Sequence, residues 1–101
     1  MTIETFMKDE FETLKAIISR ELPNQKFDSH DFIRCFAKNY ELEYVKFLGA
    51  YKSKPFWQVH MQIANFLSKR ADALNLKKNG KVISQNVFGN EVENEEWMKI
   101  N

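Results

Sequence analysis

Residues 55–92 read PFWQVHMQIANFLSKRADALNLKKNGKVISQNVFGNEV, and their pattern changes from helical to strand-like near the middle. The first half places apolar or partly apolar side chains three and four positions apart, the spacing of one buried helix face. The members of this face are Phe56, Val59, His60, Ile63, Phe66, Leu67, Ala71 and Leu74. Ser53 offers a cap and Pro55 suits a first turn, so we predict a helix that ends near Asn75.

The second half of the same stretch predicts a small β-hairpin. Asn79-Gly80 suits the positive φ angles of a tight turn. Val82-Ile83 and Val87-Phe88 are short β-prone runs, and Gly89-Asn90 is a second turn candidate. Beyond them, Asn94-Glu95-Glu96-Trp97 has the pattern of a helix cap, so we expect one last helical turn there.

The sequence before this stretch predicts two or three further helices. Apolar residues keep one helical stripe over residues 3–22, and Pro23 ends it because the residue before a proline avoids helical geometry. Asp28-Ser29-His30-Asp31 is a helix start signal, and the apolar phase continues over residues 29–51. Asn39 suits a helix end, so this segment forms either one long helix or two.

The order of these elements predicts a mainly α fold of three to four helices with a small C-terminal β-hairpin. Helices followed by a hairpin resemble the layout of a winged helix, an analogy that concerns the fold alone. A chain of 101 residues has the size of one common domain, so we expect a single domain over residues 1–101. Its helical part covers residues 1–75, and a basic turn, the hairpin and an acidic tail cover residues 76–101.

The composition favours a soluble protein of a reducing compartment. Cys35 is the one cysteine, so an internal disulfide is excluded. No stretch approaches the roughly 20 apolar residues that a membrane span needs. The start Met1-Thr2-Ile3-Glu4 lacks the basic and apolar regions of a secretory signal. We therefore expect a cytoplasmic protein that does not associate with membranes.

The charged residues are segregated along the chain. Residues 46–81 carry a net charge of +7, whereas residues 1–45 and residues 82–101 each carry a net charge of −3. Lysines that neutralise phosphates release condensed counterions, which gives affinity for any nucleic acid. Charge runs are also often solvated faces, and the acidic tail is able to fold over the basic residues. The basic middle nevertheless makes nucleic acid the leading partner.

On the winged-helix analogy, the helix over residues 55–75 enters a groove of the nucleic acid and the hairpin lies beside it. Glutamine and asparagine can read adenine edges, whereas lysine and arginine contact guanine or phosphate. We therefore expect possible base contacts from Gln58, Gln62 and Asn65. The expected phosphate contacts are Lys69, Arg70, Lys77, Lys78 and Lys81.

Catalytic and metal sites have little support in the sequence. His30, His60 and Cys35 are the only strong ligands for soft metals, and no C-x-x-C or H-x-x-x-H spacing occurs. A Cys35–His60 nucleophile pair would also need an oxyanion site. With three glycines, at 49, 80 and 89, no glycine-rich phosphate loop can form. We expect a non-enzymatic protein with no metal, no cofactor and no small-molecule substrate.

The alternative from another class is a protein–protein interaction module without a nucleic-acid role. Ile3, Met7, Leu14 and Ile18 follow a pattern usable as a seam between two copies, so a homo-oligomer or a partner-binding adaptor is a second interpretation. The aromatic residues are expected mainly in the core, including the stripe Tyr40, Tyr44, Phe47 and Tyr51, whereas Trp57 and Trp97 are expected at the surface.

Overall fold

The computed structural model describes residues 1–100, which form five helices and one three-stranded antiparallel sheet. In chain order the elements are α1 (Ile3–Asp9), α2 (Phe11–Glu21), β1 (Lys26–Asp28), α3 (Ser29–Asn39), α4 (Glu41–Gly49), α5 (Pro55–Arg70), β2 (Leu76–Gln85) and β3 (Glu91–Lys99). The prediction of a helical segment followed by a C-terminal hairpin is confirmed in outline. The number of helices and the extent of the sheet differ from the prediction.

The stripe over residues 3–22 is divided between two helices rather than one. The chain leaves helical geometry at Glu10, where φ is −94° and ψ is 17°. On either side of this break, Phe6 packs edge-on against Tyr40 with 5.1 Å between ring centroids, and Phe11 packs near Phe66 at 6.5 Å. The break therefore lets α1 and α2 contact different neighbours although the apolar spacing continues through it.

Residues 29–51 also form two helices, which decides between the alternatives that the sequence left open. Asp28 and Asp31 form a capping box at the start of α3, each side chain accepting a hydrogen bond from the other residue's backbone N–H. The break lies at Tyr40, one residue after the predicted position. The buried Tyr40 hydroxyl donates to the Glu10 carboxylate at 3.1 Å, so the two helix breaks contact each other.

The residues that the sequence suggested as a seam between two copies lie in the core of one chain. Ile3, Met7, Leu14 and Ile18 are buried in the same hydrophobic cluster as the inner face of α5. The seam prediction is therefore wrong, because these side chains are already covered within one chain. No helix of residues 1–100 combines the length and apolar character needed to cross a bilayer.

The sheet has the strand order β1-β3-β2, and two of its strands correct the sequence reading. β1 is a strand that the sequence analysis did not predict, and it pairs with β3 and sets Phe27 opposite Trp97. The helical turn predicted at residues 94–97 is wrong, since β3 passes through it. Trp97 is fully buried, not exposed, and its indole N–H donates to the Ser29 hydroxyl at 3.1 Å.

The hairpin turn lies further along the chain than Asn79-Gly80. That pair lies inside β2, where the register shifts between Lys78 and Lys81 and Gly80 takes a φ of 89°. The predicted basic turn is therefore a bulged strand, because a bulge accommodates the same positive φ as a turn. The actual turn runs from Asn86 to Asn90, and the Asn86 side-chain oxygen accepts the backbone N–H groups of Phe88 and Asn90 at 2.9 and 3.0 Å.

Candidate functional site

The hairpin turn and α5 lie side by side and enclose an open cleft, which we call the α5–hairpin cleft. Phe88 of the turn packs edge-on against Phe56 of α5, with ring centroids 4.8 Å apart. The N-terminal end of α3 supplies Ser29 and His30 to the same cavity, whose volume is about 400 Å³. This volume falls within the range of pockets that hold small ligands.

The mouth of the cleft is formed by large apolar side chains that remain accessible to solvent. Trp57 is 59% exposed and Phe88 is 56% exposed, and Phe56, Met61 and Val87 are also exposed. A contiguous group of exposed apolar residues is uncommon on a protein without a partner at that surface. The exposure predicted for Trp57 is confirmed, and its side chain lines the α5–hairpin cleft.

His60 lies in the wall of the cleft and is held by an aromatic neighbour. Its Nε2 is 2.5 Å from the Tyr44 hydroxyl, and the two rings are nearly parallel with centroids 5.8 Å apart. Burial lowers the pKa of His60 and raises the pKa of Tyr44, so the hydrogen bond joins two neutral groups at neutral pH.

His30 is fixed at the start of α3 by two polar side chains of the hairpin. Its Nδ1 is 2.9 Å from the Ser84 hydroxyl, and its backbone N–H donates to the Asn94 side-chain oxygen at 3.0 Å. The Asn94 amide group in turn donates to Ser84 and to the Val82 carbonyl. This network sets the orientation of the His30 ring in the cleft.

Each histidine keeps one ring nitrogen without a protein partner among the described residues. These atoms are Nε2 of His30 and Nδ1 of His60. No side-chain nitrogen or oxygen of residues 1–100 is fully buried without a hydrogen-bond partner, so neither ring nitrogen is completely shielded from solvent. Both rings line the cleft, which therefore combines aromatic walls with two free hydrogen-bonding positions. No three histidine, cysteine, aspartate or glutamate side chains of this part of the chain are grouped to hold a metal.

The predicted base contacts lie on a different side of α5. Gln62 is half-buried and donates to the Tyr51 hydroxyl at 2.5 Å and to the Gln58 carbonyl at 3.2 Å. Gln58 is also half-buried, whereas Asn65 is exposed. Gln62 and Asn65 come together with Lys69, Arg70 and Glu4 around a shallow depression.

The predicted phosphate contacts fall into two groups that face acidic neighbours. Lys69 is 3.0 Å from the Glu4 carboxylate, while Arg70 lies beside the same depression. On the hairpin, Lys78 and Lys81 each lie 3.8 Å from the Glu95 carboxylate, and Lys77 is an exposed residue of β2. The acidic segment thus lies alongside the basic one, as the charge pattern allowed.

The hairpin lysines also have a structural role that needs no ligand. β2 is an edge strand of the sheet. Lysines and bulges on an edge strand hinder pairing with a strand of another molecule. Lys77, Lys78 and Lys81 together with the Asn79-Gly80 bulge provide both features. Their positive charge is therefore only indirect support for phosphate binding.

The sequence reading missed the cleft although it identified several of its residues. Phe56 and His60 were assigned to a buried helix face, and Val87-Phe88 to a strand. The available signal was an apolar pair directly before the Gly89-Asn90 turn signal, because apolar residues in a turn have no sheet face to cover. The thiol of Cys35, by contrast, is buried, and burial raises its pKa, so it keeps its proton at neutral pH.

The first turn of α5 presents backbone donors without a side-chain cap. Lys54 precedes the helix in left-handed geometry with a φ of 47°, and no side chain accepts a hydrogen bond from this end. Lys52 and Lys54 are exposed there. Uncapped N–H groups and the helix dipole favour a negatively charged group at such a position.

No protein-family model, no curated protein and no solved structure matches this chain. The chemistry of the cleft and of its surroundings is therefore the basis for assigning a function.

Proposed function

We propose that this chain is a non-enzymatic binding domain of winged-helix type that contacts nucleic acid with α5 and the β2–β3 hairpin. The observation that carries the proposal is the arrangement of the elements: β1, α3, α4, α5 and then a hairpin, with the strand order β1-β3-β2. This arrangement sets the last helix beside the hairpin, as a recognition helix lies beside a wing. The likeness is one of fold, so the partner class needs support of its own.

Charge around α5 supports a phosphate-bearing partner. Residues 44–71 contain five basic and no acidic side chains, so this segment is more uniformly positive than the hairpin. Lys52 and Lys54 stand at the uncapped start of α5, where backbone N–H groups can also bind a phosphate. The first phosphate contacts are therefore assigned to this end of the helix.

The residues that the sequence predicted as base and phosphate contacts are assigned a smaller part in binding than Lys52 and Lys54. Lys69, Arg70 and Asn65 are available at the other end of α5, because an exposed pair such as Lys69–Glu4 is screened by solvent and yields readily to a phosphate. The hairpin lysines Lys77, Lys78 and Lys81 contact phosphates once Glu95 is displaced from Lys78 and Lys81. Gln58 and Gln62 contact bases only after Gln62 leaves Tyr51.

The test is a fluorescence-anisotropy titration of duplex and single-stranded DNA at about 50 and about 200 mM salt. We expect binding that weakens steeply with salt. The double variant Lys52→Glu, Lys54→Glu should weaken it at least about tenfold and, through its two lost phosphate contacts, lower the salt slope by about two. The matched control is Lys77→Glu with Lys78→Glu, for which we expect a smaller loss. Absence of binding at low salt would refute the proposal.

A protein partner is the second candidate, and the exposed apolar mouth of the cleft favours it. Trp57, Met61 and Phe88 offer an anchoring surface of the kind that interfaces bury. A second copy of the chain is one such partner. Light scattering at both salt concentrations separates the candidates, because an apolar interface persists at high salt whereas phosphate binding does not.

A further inference from the structure

We infer that the α5–hairpin cleft binds a neutral heteroaromatic ring with a hydrogen-bonding edge, which is the chemistry of a nucleobase. Two sources supply such a ring, namely an unstacked base of a nucleic acid strand and a free base or nucleoside. If the ring belongs to a nucleic acid strand, the inference rests on the proposed function and extends it by naming the chemical group that this surface recognises.

The aromatic walls of the cleft favour a flat ligand. His60 stacks on Tyr44 and also lies near-parallel to Phe88, at 28° with 6.3 Å between centroids. Phe56 makes edge-on contacts with both His60 and Phe88. The exposed indole of Trp57 extends the aromatic surface to the mouth. Aromatic side chains at such a site bind bases by stacking.

The polar groups in the walls favour a ring that has both donors and acceptors. Nε2 of His30 and Nδ1 of His60 are the ring nitrogens left free, and a neutral imidazole can donate or accept at such an atom. Asn94 is already occupied by His30, Val82 and Ser84, so it acts as a positioning residue. The edge of a nucleobase carries both donors and acceptors. It can therefore pair with the two free imidazole nitrogens whichever tautomer each histidine adopts.

The charge of the cleft disfavours an anionic ring. Glu93 is the one acidic residue among those of the described chain that line it, and no lysine or arginine does so. A carboxylate or phosphate inside the cleft would therefore meet a like charge without a lysine or arginine beside it. The phosphates of a strand would instead lie outside, where Lys54 precedes Phe56 by two residues.

An apolar side chain from a partner protein fits the cleft less well. It would cover the two imidazole nitrogens without offering them a hydrogen bond, and a polar group that loses water without a new partner weakens binding. A purely apolar occupant is therefore the main competing outcome of the test.

The test combines titration calorimetry with long-range ¹H–¹⁵N spectra of the two histidine rings. The probes are adenosine, guanosine, cytidine and uridine, a single DNA strand of about ten nucleotides, the same strand with its central base removed, and toluene. We expect a nucleoside or the intact strand to shift the ring nitrogens of His30 and His60. Loss of one stacking surface in Trp57→Ala or Phe88→Ala should weaken this binding about tenfold.

Leu42→Ala is the matched control, because Leu42 is 75% exposed on α4 and does not line the cleft. It should leave binding unchanged, and circular dichroism should show all three variants folded. Binding of nucleosides identifies a free ring as a source. Binding of the intact strand alone, lost when the central base is removed, identifies the strand.

Three results would overturn the inference. One is toluene binding as tightly as the best nucleoside, which would indicate an apolar occupant. Another is the absence of any histidine shift with all probes. The third is strand binding that depends on salt and on Lys52 and Lys54 but is unchanged in Trp57→Ala and Phe88→Ala. In that case the proposed function stands while the cleft has no part in it.

Discussion

The two faces of α5 meet opposite environments although the sequence makes both of them apolar. On the inner face, Val59, Ile63 and Leu67 are completely buried against the other helices. On the outer face, Trp57 is exposed and Met61 is 39% exposed beside the hairpin turn. The fold thus covers one face and leaves the other open. Apolar side chains on the outer face add little to folding, so their presence is better explained by something that binds there.

The sharpest test of this comparison is a pair of truncations on the same helix. Ile63→Ala should lower the free energy of unfolding by about 2–5 kcal/mol, because it leaves a cavity in a closed core. Met61→Ala, two residues away on the outer face, should change it by no more than about 0.5 kcal/mol. Urea denaturation measures both values. Similar losses in the two variants would show that the outer face also contributes to folding.

A second pair compares a buried and an exposed serine. Ser29→Ala removes the acceptor of the Trp97 indole N–H and leaves that donor buried, which should cost about 1–3 kcal/mol. Ser68→Ala on exposed α5 surface should be close to neutral and serves as its control. Equal midpoints of denaturation for both variants would contradict the assignment of Trp97 to the closed core.

The pH dependence of stability should report His60, which belongs to the open region but is itself partly buried. Burial lowers its pKa from the ordinary value near 6.5, and the facing His30 lowers it further. As the pH falls below 6.5, the unfolded chain takes up a proton that the folded chain resists, so stability should decrease. His60→Gln should reduce this decrease in denaturation measured between neutral and mildly acidic pH. An unchanged pH profile would exclude His60 as its source.

The smallest effect on stability is expected for Glu95→Gln. The carboxylate of Glu95 contacts two exposed lysines, Lys78 and Lys81, and such surface pairs contribute at most about 1 kcal/mol. On the proposed function, the substitution frees both lysines and should strengthen DNA binding a few-fold at low salt. Anisotropy titration measures this change, and unchanged binding would place the hairpin outside the contact surface.

The sequence predicted those parts of the fold that depend on local spacing. The inner face of α5 follows from apolar residues three and four apart, and the capped start of α3 follows from Asp28 and Asp31. Pairing between distant segments was not predictable in the same way. Trp97 follows two glutamates that suggest a helical turn, yet Phe27, distant in sequence, pairs opposite it and draws the segment into the sheet.

The candidate site depended even more on distant contacts. Asn79-Gly80 has the local chemistry of a turn, but a bulge satisfies the same backbone angles, so the true turn moved to residues 86–90. That shift brings Phe88 onto Phe56 and creates the cleft. Charge counting in turn could not show that Glu95 lies between Lys78 and Lys81, because it ignores which strands pair.

The residues that hold the hairpin turn in place differ from the residues that the turn presents to the cleft. The Asn86 side chain holds the turn, and the Arg34 guanidinium donates to the backbone carbonyls of Gln85 and Asn86. Val87 and Phe88 are therefore presented by a frame that other residues maintain. If the cleft binds a ligand as inferred, substitutions at these two adjacent positions can change what it accepts without changing the fold, so the specificity of this surface can diverge while the fold is kept.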